Sequence, residues 1–209
     1  MTDFPRATGA MPRLITPPIF SVGMQSWGQS GKGQFRSVQN IGRMWEEVYP
    51  ILDTANPNVR ALIEVLNRSL RDGLVWTIQH PYWQVRQGLG GGTPVVNGSN
   101  QVGSTLNIDG ATAGVTGWLK HGDLVQVAGC SVIFDVTADV NSNGSGQVAI
   151  PVSPTIYTGQ SPADEAAVTI DPTLIKFNVA IVSVSGLPSM DSTRYINAGM
   201  TVLLREAPQ

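Results

Sequence analysis

The alternation of apolar and polar residues predicts a chain built mainly of β-strands, with a single helix. Short runs with a period of two recur along the chain, and turns rich in Gly, Asn and Ser separate them. Helical spacing occurs once, in 57–71, where five apolar residues form one stripe: Val59, Leu62, Ile63, Leu66 and Leu70. Asn56 is a favourable N-cap, Pro57 suits the first helical position, and Gly73 is placed to end the helix.

The N-terminal part of the chain is predicted to form a sheet that carries this helix. Residues 19–29 have the pattern of a strand, 35–51 contain its hairpin partner, and 74–80 form a strand directly after the helix. A single amphipathic helix needs an apolar surface to cover, and this sheet provides one. The predicted core consists of seven large apolar residues from these elements: Trp45, Leu62, Ile63, Leu66, Leu70, Trp76 and Ile78.

A change of composition divides the chain. Residues 86–103 are rich in Gly, Asn and Ser, which is typical of a linker, and short regularly spaced strands follow them. Longer strands return near the C-terminus, where they can pair with the first sheet. The predicted fold is therefore mainly β, with one helix. The predicted regions are an extended N-terminal arm at 1–18, a discontinuous split-barrel-like domain at 19–92 and 169–209, and an inserted small antiparallel, OB-like β-barrel at 93–168.

Composition favours a protein that works in an assembly. Charged residues make up 13% of the chain, about half of the usual ~25%. Because interface cores are depleted of charge, a surface with few charged residues suits packing against copies or partners better than existence as a monomer in solution. The net charge is −2 and no run of Lys or Arg occurs, so we expect no nucleic-acid specificity.

Membrane insertion and secretion are not expected. The apolar runs fall far short of the ~20 residues that a membrane span requires. Arg6 and Arg13 lie near the N-terminus, but no apolar segment of a signal peptide accompanies them. Cys130 is the single cysteine, which excludes an internal disulfide and a cysteine zinc cluster and fits the reducing cytoplasm of a producing cell.

The candidate catalytic residues have better structural explanations. His80 and His121 are the two histidines, and neither has a metal-ligand partner at a useful spacing. The string GQSGKG at 28–33 matches neither a nucleophile elbow nor a phosphate-binding loop, so its glycines are assigned to a β-turn. Adjacent Glu46 and Glu47 would point to opposite faces of a strand, which disfavours a catalytic pair.

A weak calcium loop near the turn 141–146 is the remaining chemical alternative. Asp135 and Asp139 lie before this turn, but their spacing is not that of an EF-hand, and a polar hairpin turn is favoured. The sequence therefore predicts no catalytic, metal-binding or cofactor-binding residue, no cofactor, and a protein that is not an enzyme. Trp83 and Trp118 lie near predicted strand edges or turns, as interface anchors or ligand platforms, and the sequence does not choose between these roles.

Two segments carry a resemblance to a known family. The first runs from WEEVYP (45–50) through NPNVRALIEVLNRSLRDG (56–73) to a strand that ends in His-Pro. The second combines VNGSNQVGSTLNIDGATAGVTGWLKHGDLVQVAG (96–129) with VTADVNSNGSGQVAIPVSPTI (136–156), and it includes the patterns VNGxxQxG and LKxGD. Together they resemble the distal tail proteins and related minor tail proteins of long-tailed bacteriophages, over most of the chain beyond residue 40.

The resemblance implies a structural virion protein. Such a protein forms a ring, here expected to be a homohexamer, between the tail tube and the tail tip or hub. The implied partners are copies of the chain, the tail tube protein and hub or tip proteins, with side fibres or a host-surface glycan as partners of the inserted domain. The implied location is the virion tail tip, after synthesis in the host cytoplasm. The alternative is a carbohydrate- or receptor-binding accessory module of the tail.

Overall fold

A computed structural model describes most of the chain. The described residues are 3–4, 12–15, 19–20, 23–27, 34–38, 43–50, 55–79, 85–186, 189–190, 195–196 and 199–207. They form two compact units. Unit 1 comprises Met1–Ile78 and Asn178–Pro208, and unit 2 comprises Gln79–Phe177 together with Gln209.

Strands dominate both units, in agreement with the predicted fold class. Unit 1 and its boundary contain β1 (Leu14–Ile15), β2 (Ile19–Phe20), β3 (Gly23–Trp27), β4 (Gln34–Val38), β5 (Arg43–Tyr49), α1 (Pro57–Asp72), β6 (Val75–Ile78), β13 (Phe177–Ser185), β14 (Ser189–Met190), β15 (Tyr195–Ile196) and β16 (Met200–Glu206). Unit 2 contains β7 (Gly92–Val96), β8 (Gly103–Ala111), β9 (Leu124–Val127), β10 (Ile133–Val136), β11 (Val148–Ile156), a short 3-10 helix at Thr158–Gln160, and β12 (Val168–Thr169).

The main sheet of unit 1 joins the two ends of the chain. Its order is β1-β5-β16-β13-β6, and β2 also pairs with β5. The long strands β5 and β16 are antiparallel, with Met200 opposite Tyr49 and Leu204 opposite Trp45. Strands β6 and β13 are neighbours in this sheet, although nearly all of unit 2, residues 79–176, lies between them in the chain.

The predicted N-terminal hairpin is shorter than expected. Strand β3 pairs with β4 in a sheet of two strands, so the hairpin partner is Gln34–Val38 alone. Strand β5, which the sequence analysis placed in the same partner segment, instead joins β16 in the main sheet. The apolar inward residues of β5 explain this, because Trp45 and Tyr49 are each only 1% exposed in the core of unit 1.

Helix α1 has the ends that its sequence predicts. The Asn56 side chain accepts a hydrogen bond of 2.9 Å from the backbone N–H of Asn58, as an N-cap does. Gly73 adopts a left-handed conformation with φ 64°, which an L side chain rarely adopts, and its N–H donates to the Ser69 carbonyl.

The helix buries a narrower stripe than the predicted one. Val59, Leu62, Leu66 and Ser69 are its buried residues. Ile63 is half-buried, and Leu70 is 42% exposed, so the prediction of a core Leu70 is wrong. The reason is that Ser69 occupies the inward position of the last turn, where its hydroxyl accepts a hydrogen bond of 2.6 Å from Trp76 Nε1. The other predicted core residues are buried: Trp45, Leu62, Leu66, Trp76 and Ile78.

Unit 2 is a small, nearly closed barrel of six antiparallel strands. Its order is β12-β9-β10-β11-β8-β7. The ends of this path approach each other through a bridge between Val95 and Ala167. Two backbone hydrogen bonds, Val96 N–H to Ala166 O at 2.9 Å and Glu165 N–H to Val96 O at 3.0 Å, reinforce the closure.

The barrel contains two overlapping Greek keys. Strands β9, β10 and β11 follow one another as a meander, with β8 beside β11 and β12 beside β9. This arrangement needs two long connections, 112–123 and 157–167. The inserted domain predicted at 93–168 lies within unit 2.

Candidate functional site

In unit 1, an ion pair is buried between the neighbouring strands β5 and β16. Arg43 and Glu206 are the next cross-strand pair after Arg205 and Met44, and both side chains are 1% exposed. The guanidinium Nη1 donates to both carboxylate oxygens, at 3.0 and 3.2 Å. The backbone N–H of Arg43 also donates to Glu206 Oε2, at 3.1 Å. The pair therefore connects the strands by side-chain and backbone bonds at once.

A second carboxylate, Glu47, points to the same face of β5 and is fully buried. Tyr49 donates its hydroxyl to Glu47 Oε2 at 2.8 Å, and Trp45 Nε1 lies 3.4 Å from Glu47 Oε1. Neighbours two residues away on one strand thus hold this carboxylate. Arg43, Glu47 and Glu206 are the buried charged residues described in unit 1, and we refer to the three together as the buried charge cluster.

The buried charge cluster has the residue types of a catalytic centre but not the access. Its three charged side chains have at most 2% of their surface exposed, so a substrate cannot touch them in this conformation. Charges buried this deeply need partners to offset lost hydration. The hydrogen bonds supply them, and the geometry supports a role in fixing strand register.

In unit 2, the buried carboxylate of Asp123 holds two loops together. Its oxygens accept hydrogen bonds from the backbone N–H groups of Gln87, Gly88 and Lys120, at 2.8, 2.9 and 2.8 Å. Gly88 is required by this close approach, because a Cβ there would lie 2.5 Å from the Leu119 backbone. The segment that enters unit 2 is thereby fixed to the turn before β9.

Arg86 and Trp118 continue the same bracing. Arg86 donates to the carbonyl oxygens of Gly88, Leu89 and Ile170, at 2.9, 2.8 and 3.3 Å. Trp118 is fully buried, and its Nε1 donates to the Gly91 carbonyl at 3.1 Å. These side chains satisfy backbone groups that strand pairing leaves open.

Gln101 supports the first hairpin of the barrel. Its amide oxygen accepts from the Asn107 N–H at 2.6 Å. Its amide nitrogen lies within hydrogen-bond distance of the carbonyls of Asn97, Gly98 and Asn107, at 2.9, 3.1 and 2.9 Å. Gln101 and Asp123 are the glutamine of the pattern VNGxxQxG and the aspartate of LKxGD, so both sequence patterns encode loop bracing.

The turn that could have held calcium is occupied by protein donors. Asp139 accepts a hydrogen bond from the backbone N–H of His121 and pairs with Lys120 Nζ, both at 2.9 Å. These contacts lower the pKa of the Asp139 carboxyl, with the backbone bond as the larger cause. His121 itself is exposed. The arrangement is a braced surface turn.

Metal and nucleophile chemistry receive no support from the described residues. Within them, no group of three or more His, Cys, Asp or Glu side chains could hold a metal ion. Cys130 is half-buried, and burial raises the pKa of its thiol, which disfavours the nucleophilic thiolate. In the described parts of the chain, no helix is both long and apolar enough to span a membrane.

The two tryptophans proposed as interface or ligand residues have different outcomes. Trp118 lies in the barrel interior with 0% of its surface exposed, so its prediction as an exposed anchor or platform is wrong. The physical reason is that the connection 112–123 passes inward, with the indole under Gly91. Trp83 lies outside the described residues, as does His80.

The described surface includes shallow depressions. One, of about 450 Å³, lies on the barrel and is lined largely by amide side chains, which include Asn97, Asn107, Asn143 and Gln147. Asn143 is already engaged, because its Oδ1 accepts from the N–H groups of Ser145 and Gln147.

The N-terminal arm pairs with both edges of the main sheet of unit 1. At one edge, Asp3 forms a parallel bridge with Thr77 of β6, and the Phe4 N–H donates to the Thr77 carbonyl at 2.8 Å. At the other edge, β1 pairs with β5. Phe4 is only 6% exposed, and its ring meets Trp76 edge-on with centroids 6.4 Å apart.

No known family model matches the chain, and no curated protein is similar to it. The site residues therefore have to be interpreted from their own geometry.

Proposed function

We propose that this chain is a structural protein in the virion of a long-tailed phage, and that it is not an enzyme. It forms a ring at the distal end of the tail tube and joins the tube to the tail tip or hub. Its partners are then copies of itself in a hexameric ring, the tail tube protein and the hub or tip proteins. It is made in the host cytoplasm and ends in the virion tail tip.

The observation that carries this proposal is the role of the motif residues. Gln101 and Asp123 belong to the patterns that resemble the inserted domain of distal tail proteins, and both brace loops of the unit 2 barrel. A resemblance based on turn patterns alone would be weak. Here the same residues brace the loops of the barrel, so the resemblance concerns a way of building this domain.

The use of polar residues supports an architectural role. Within the buried charge cluster, Arg43 and Glu206 connect two strands, whereas Asp123 and Arg86 bind loop backbone. Only 13% of the residues are charged, and several of them, such as Arg43, Glu206 and Asp123, are used within the chain's own structure. A weakly charged outer surface favours stable packing against copies and partners.

Assembly of the purified chain tests the proposal. A closed ring of head-to-tail contacts has one fixed copy number, whereas open association gives a size that grows with concentration. Native mass spectrometry and electron microscopy are expected to show one closed particle and, with tail tube protein added, a ring capping the tube. A chain that stays monomeric at all concentrations, with and without tube protein, would contradict the proposal.

A hydrolase assay addresses the non-enzymatic part. The intact protein is expected to release no product from peptidoglycan or bacterial polysaccharide. If product forms, a variant of the buried charge cluster such as Glu47→Gln identifies whether this cluster is responsible. Loss of turnover in a folded Glu47→Gln chain would overturn the structural assignment of the cluster.

Carbohydrate binding is retained as the alternative because of the amide-lined depression on the barrel. Amide side chains can donate to and accept from sugar hydroxyls. The alternative predicts a glycan-array signal that falls with Asn107→Ala but not with Asn100→Gly, since Asn100 is exposed outside the depression and glycine tolerates its backbone φ of 57°. An array without signal would count against it.

A further inference from the structure

The N-terminal arm is attached to two opposite edges of one sheet. Asp3 and Phe4 lie along the outer edge of β6, and β1 lies along the outer edge of β5. The β5 edge is also covered by β2. Exposed strand edges invite pairing with another chain, so both edges need a cover. In the described structure the N-terminal segment provides it on both sides.

The attachment at the β6 edge is small and self-contained. It consists of the bridge between Asp3 and Thr77, the Phe4 N–H bond, and the Phe4 ring against Trp76. Each of these contacts would be the same if Asp3 and Phe4 came from another copy of the chain. The sequence between the two attachments contains Pro5 and Pro12, which lack the N–H that a continuous strand needs.

A head-to-tail ring places unlike surfaces of neighbouring copies against each other. The β5 edge and the β6 edge are such unlike surfaces, because they are the two ends of the same sheet. Strand β1 anchors one end of the arm at the β5 edge of its own chain. The other end of the arm, at Asp3, pairs with a β6 edge. This is the connection that an interface between successive ring members requires.

We propose that in the assembled ring the arm is exchanged: Asp3 and Phe4 of each copy pair with Thr77 and Trp76 of the next copy. Strand β1 stays on its own β5. The inference rests on the proposed ring, and it identifies which segments make the contact. In an isolated chain the arm folds back and shelters its own edge. In the ring, neighbouring copies are held at high local concentration, so the exchanged pairing competes with the folded-back pairing without any new contact.

Disulfide trapping distinguishes the two pairings. In a Cys130→Ser background, Asp3→Cys and Thr77→Cys place thiols on bridged residues, whose backbones are close enough for a disulfide. Rings are oxidised, denatured and analysed without reductant. Exchange predicts a ladder of covalent multimers up to the ring copy number. Rings that yield only covalent monomers overturn the exchange and leave the proposed ring intact, and rings that yield no disulfide also overturn it.

A matched control uses a pair within one chain. Ser185 and Thr201 are opposite each other on β13 and β16, so Ser185→Cys with Thr201→Cys must give covalent monomers in every assembly state. A ladder of multimers from this control pair would mean that random collisions between chains also explain the ladder from Asp3→Cys with Thr77→Cys. That result would overturn the inference. A protein that never assembles contradicts the proposed function itself, and the arm exchange with it.

A mixing experiment gives a second, quantitative test with one thiol per chain. Asp3→Cys chains and Thr77→Cys chains, both with Cys130→Ser, are mixed equally and assembled. Random order gives about one junction in four with the two thiols facing each other in the correct direction. Covalent dimers at about one junction in four, which place about half of all chains in dimers with one chain of each kind, support the exchange. Their absence from assembled mixed rings overturns it.

Discussion

The two units use buried polar groups in different ways. In unit 1, Arg43 and Glu206 bind each other across neighbouring strands. In unit 2, Asp123 and Gln101 bind the backbone of loops. The first arrangement fixes which residues of two strands face each other, because a slip by one residue would turn the charges out of the core. The second holds long connections that have no ladder of their own.

This difference follows from topology. Strand β5 lies near the start of the chain and β16 near its end, so a long-range contact must set their register. The barrel strands β9, β10 and β11 are successive in sequence and pair as a meander. Their connections 112–123 and 157–167, in contrast, need side chains to satisfy their backbone groups. Buried polar groups therefore stabilise the strand register in unit 1 and the loop conformation in unit 2.

The largest expected effect comes from breaking the ion pair of unit 1. Glu206→Gln removes the charge that offsets the buried Arg43 guanidinium, and we expect a loss of about 3–5 kcal/mol in the free energy of opening unit 1. Native-state hydrogen exchange of the β5 and β16 amides measures this opening separately from unit 2.

Two variants calibrate that result. Glu64→Gln removes a solvent-exposed carboxylate of unit 1, on helix α1, that pairs with Arg68 at 3.6 Å, and its effect should stay within about 0.5 kcal/mol. The double variant Arg43→Met with Glu206→Leu removes both charges, and it should lose less than Glu206→Gln alone. A double variant as unstable as the single one would mean that the charge pair does not act through desolvation.

The corresponding change in unit 2 should be smaller and local. Asp123→Asn replaces a charged acceptor of three backbone N–H groups, and we expect a loss of about 2–3 kcal/mol. The amides of Gln87, Gly88 and Lys120 should exchange faster, while those of β5 should not. Asp109→Asn on β8 serves as the control. Equal acceleration of amides in both units would contradict separate bracing.

The N-cap of helix α1 is a hydrogen bond between a side chain and the backbone within unit 1. It can be compared with the Asp123 bonds to the backbone in unit 2. Asn56→Ala removes the N-cap, with an expected loss of about 1 kcal/mol. Asn67→Ala, on the exposed middle of the helix, should change stability by less than about 0.5 kcal/mol. Hydrogen exchange of the helix amides compares the two variants. The idea fails if both lose the same amount.

The smallest effect is a pH dependence at the exposed turn of unit 2. The pKa of Asp139 is lowered in the folded chain, so between that pKa and its ordinary value of about 3.9 the unfolded chain binds more protons. The stability that this carboxylate contributes is present above the ordinary value and is lost as the pH falls through the folded value. Asp139→Asn should therefore be less stable than the parent at neutral pH, with the gap closing in acid.

Thermal unfolding of the two proteins across the acidic range measures this gap. His121→Ala keeps the backbone N–H that is the larger cause of the lowered pKa, so it should retain the acid-dependent loss. A gap between parent and Asp139→Asn that is the same at neutral and acidic pH would exclude the titration of Asp139 as its cause.

Local signals made part of the fold predictable. The cap at Asn56, Pro57 at the first position and Gly73 after the last turn give helix α1 from neighbouring residues alone. Period-2 patterns gave the strand-rich character. The predicted apolar stripe of helix α1 is wrong at Leu70. Ser69 occupies the inward position of the last turn instead, where it accepts a hydrogen bond from Trp76 of β6.

The buried polar groups were missed because their signals are not local. Glu206 lies 163 residues from Arg43, and nothing in either segment indicates the other. Glu47 could have been suspected, since it shares the inward alternation with Trp45 and Tyr49. Trp118 was placed at the surface because the polar turn LKHGD follows it, whereas the fold turns that connection into the barrel.

The position of unit 2 in the chain has an evolutionary consequence. Strands β6 and β13 are hydrogen-bonded neighbours, so the whole barrel replaces what could be a short hairpin loop between them. The cost of closing a loop rises only slowly with its length. A lineage could exchange, enlarge or lose the barrel while the pairing of β5 with β16 stays the same. New surface specificities would then arise on the barrel without any redesign of this sheet.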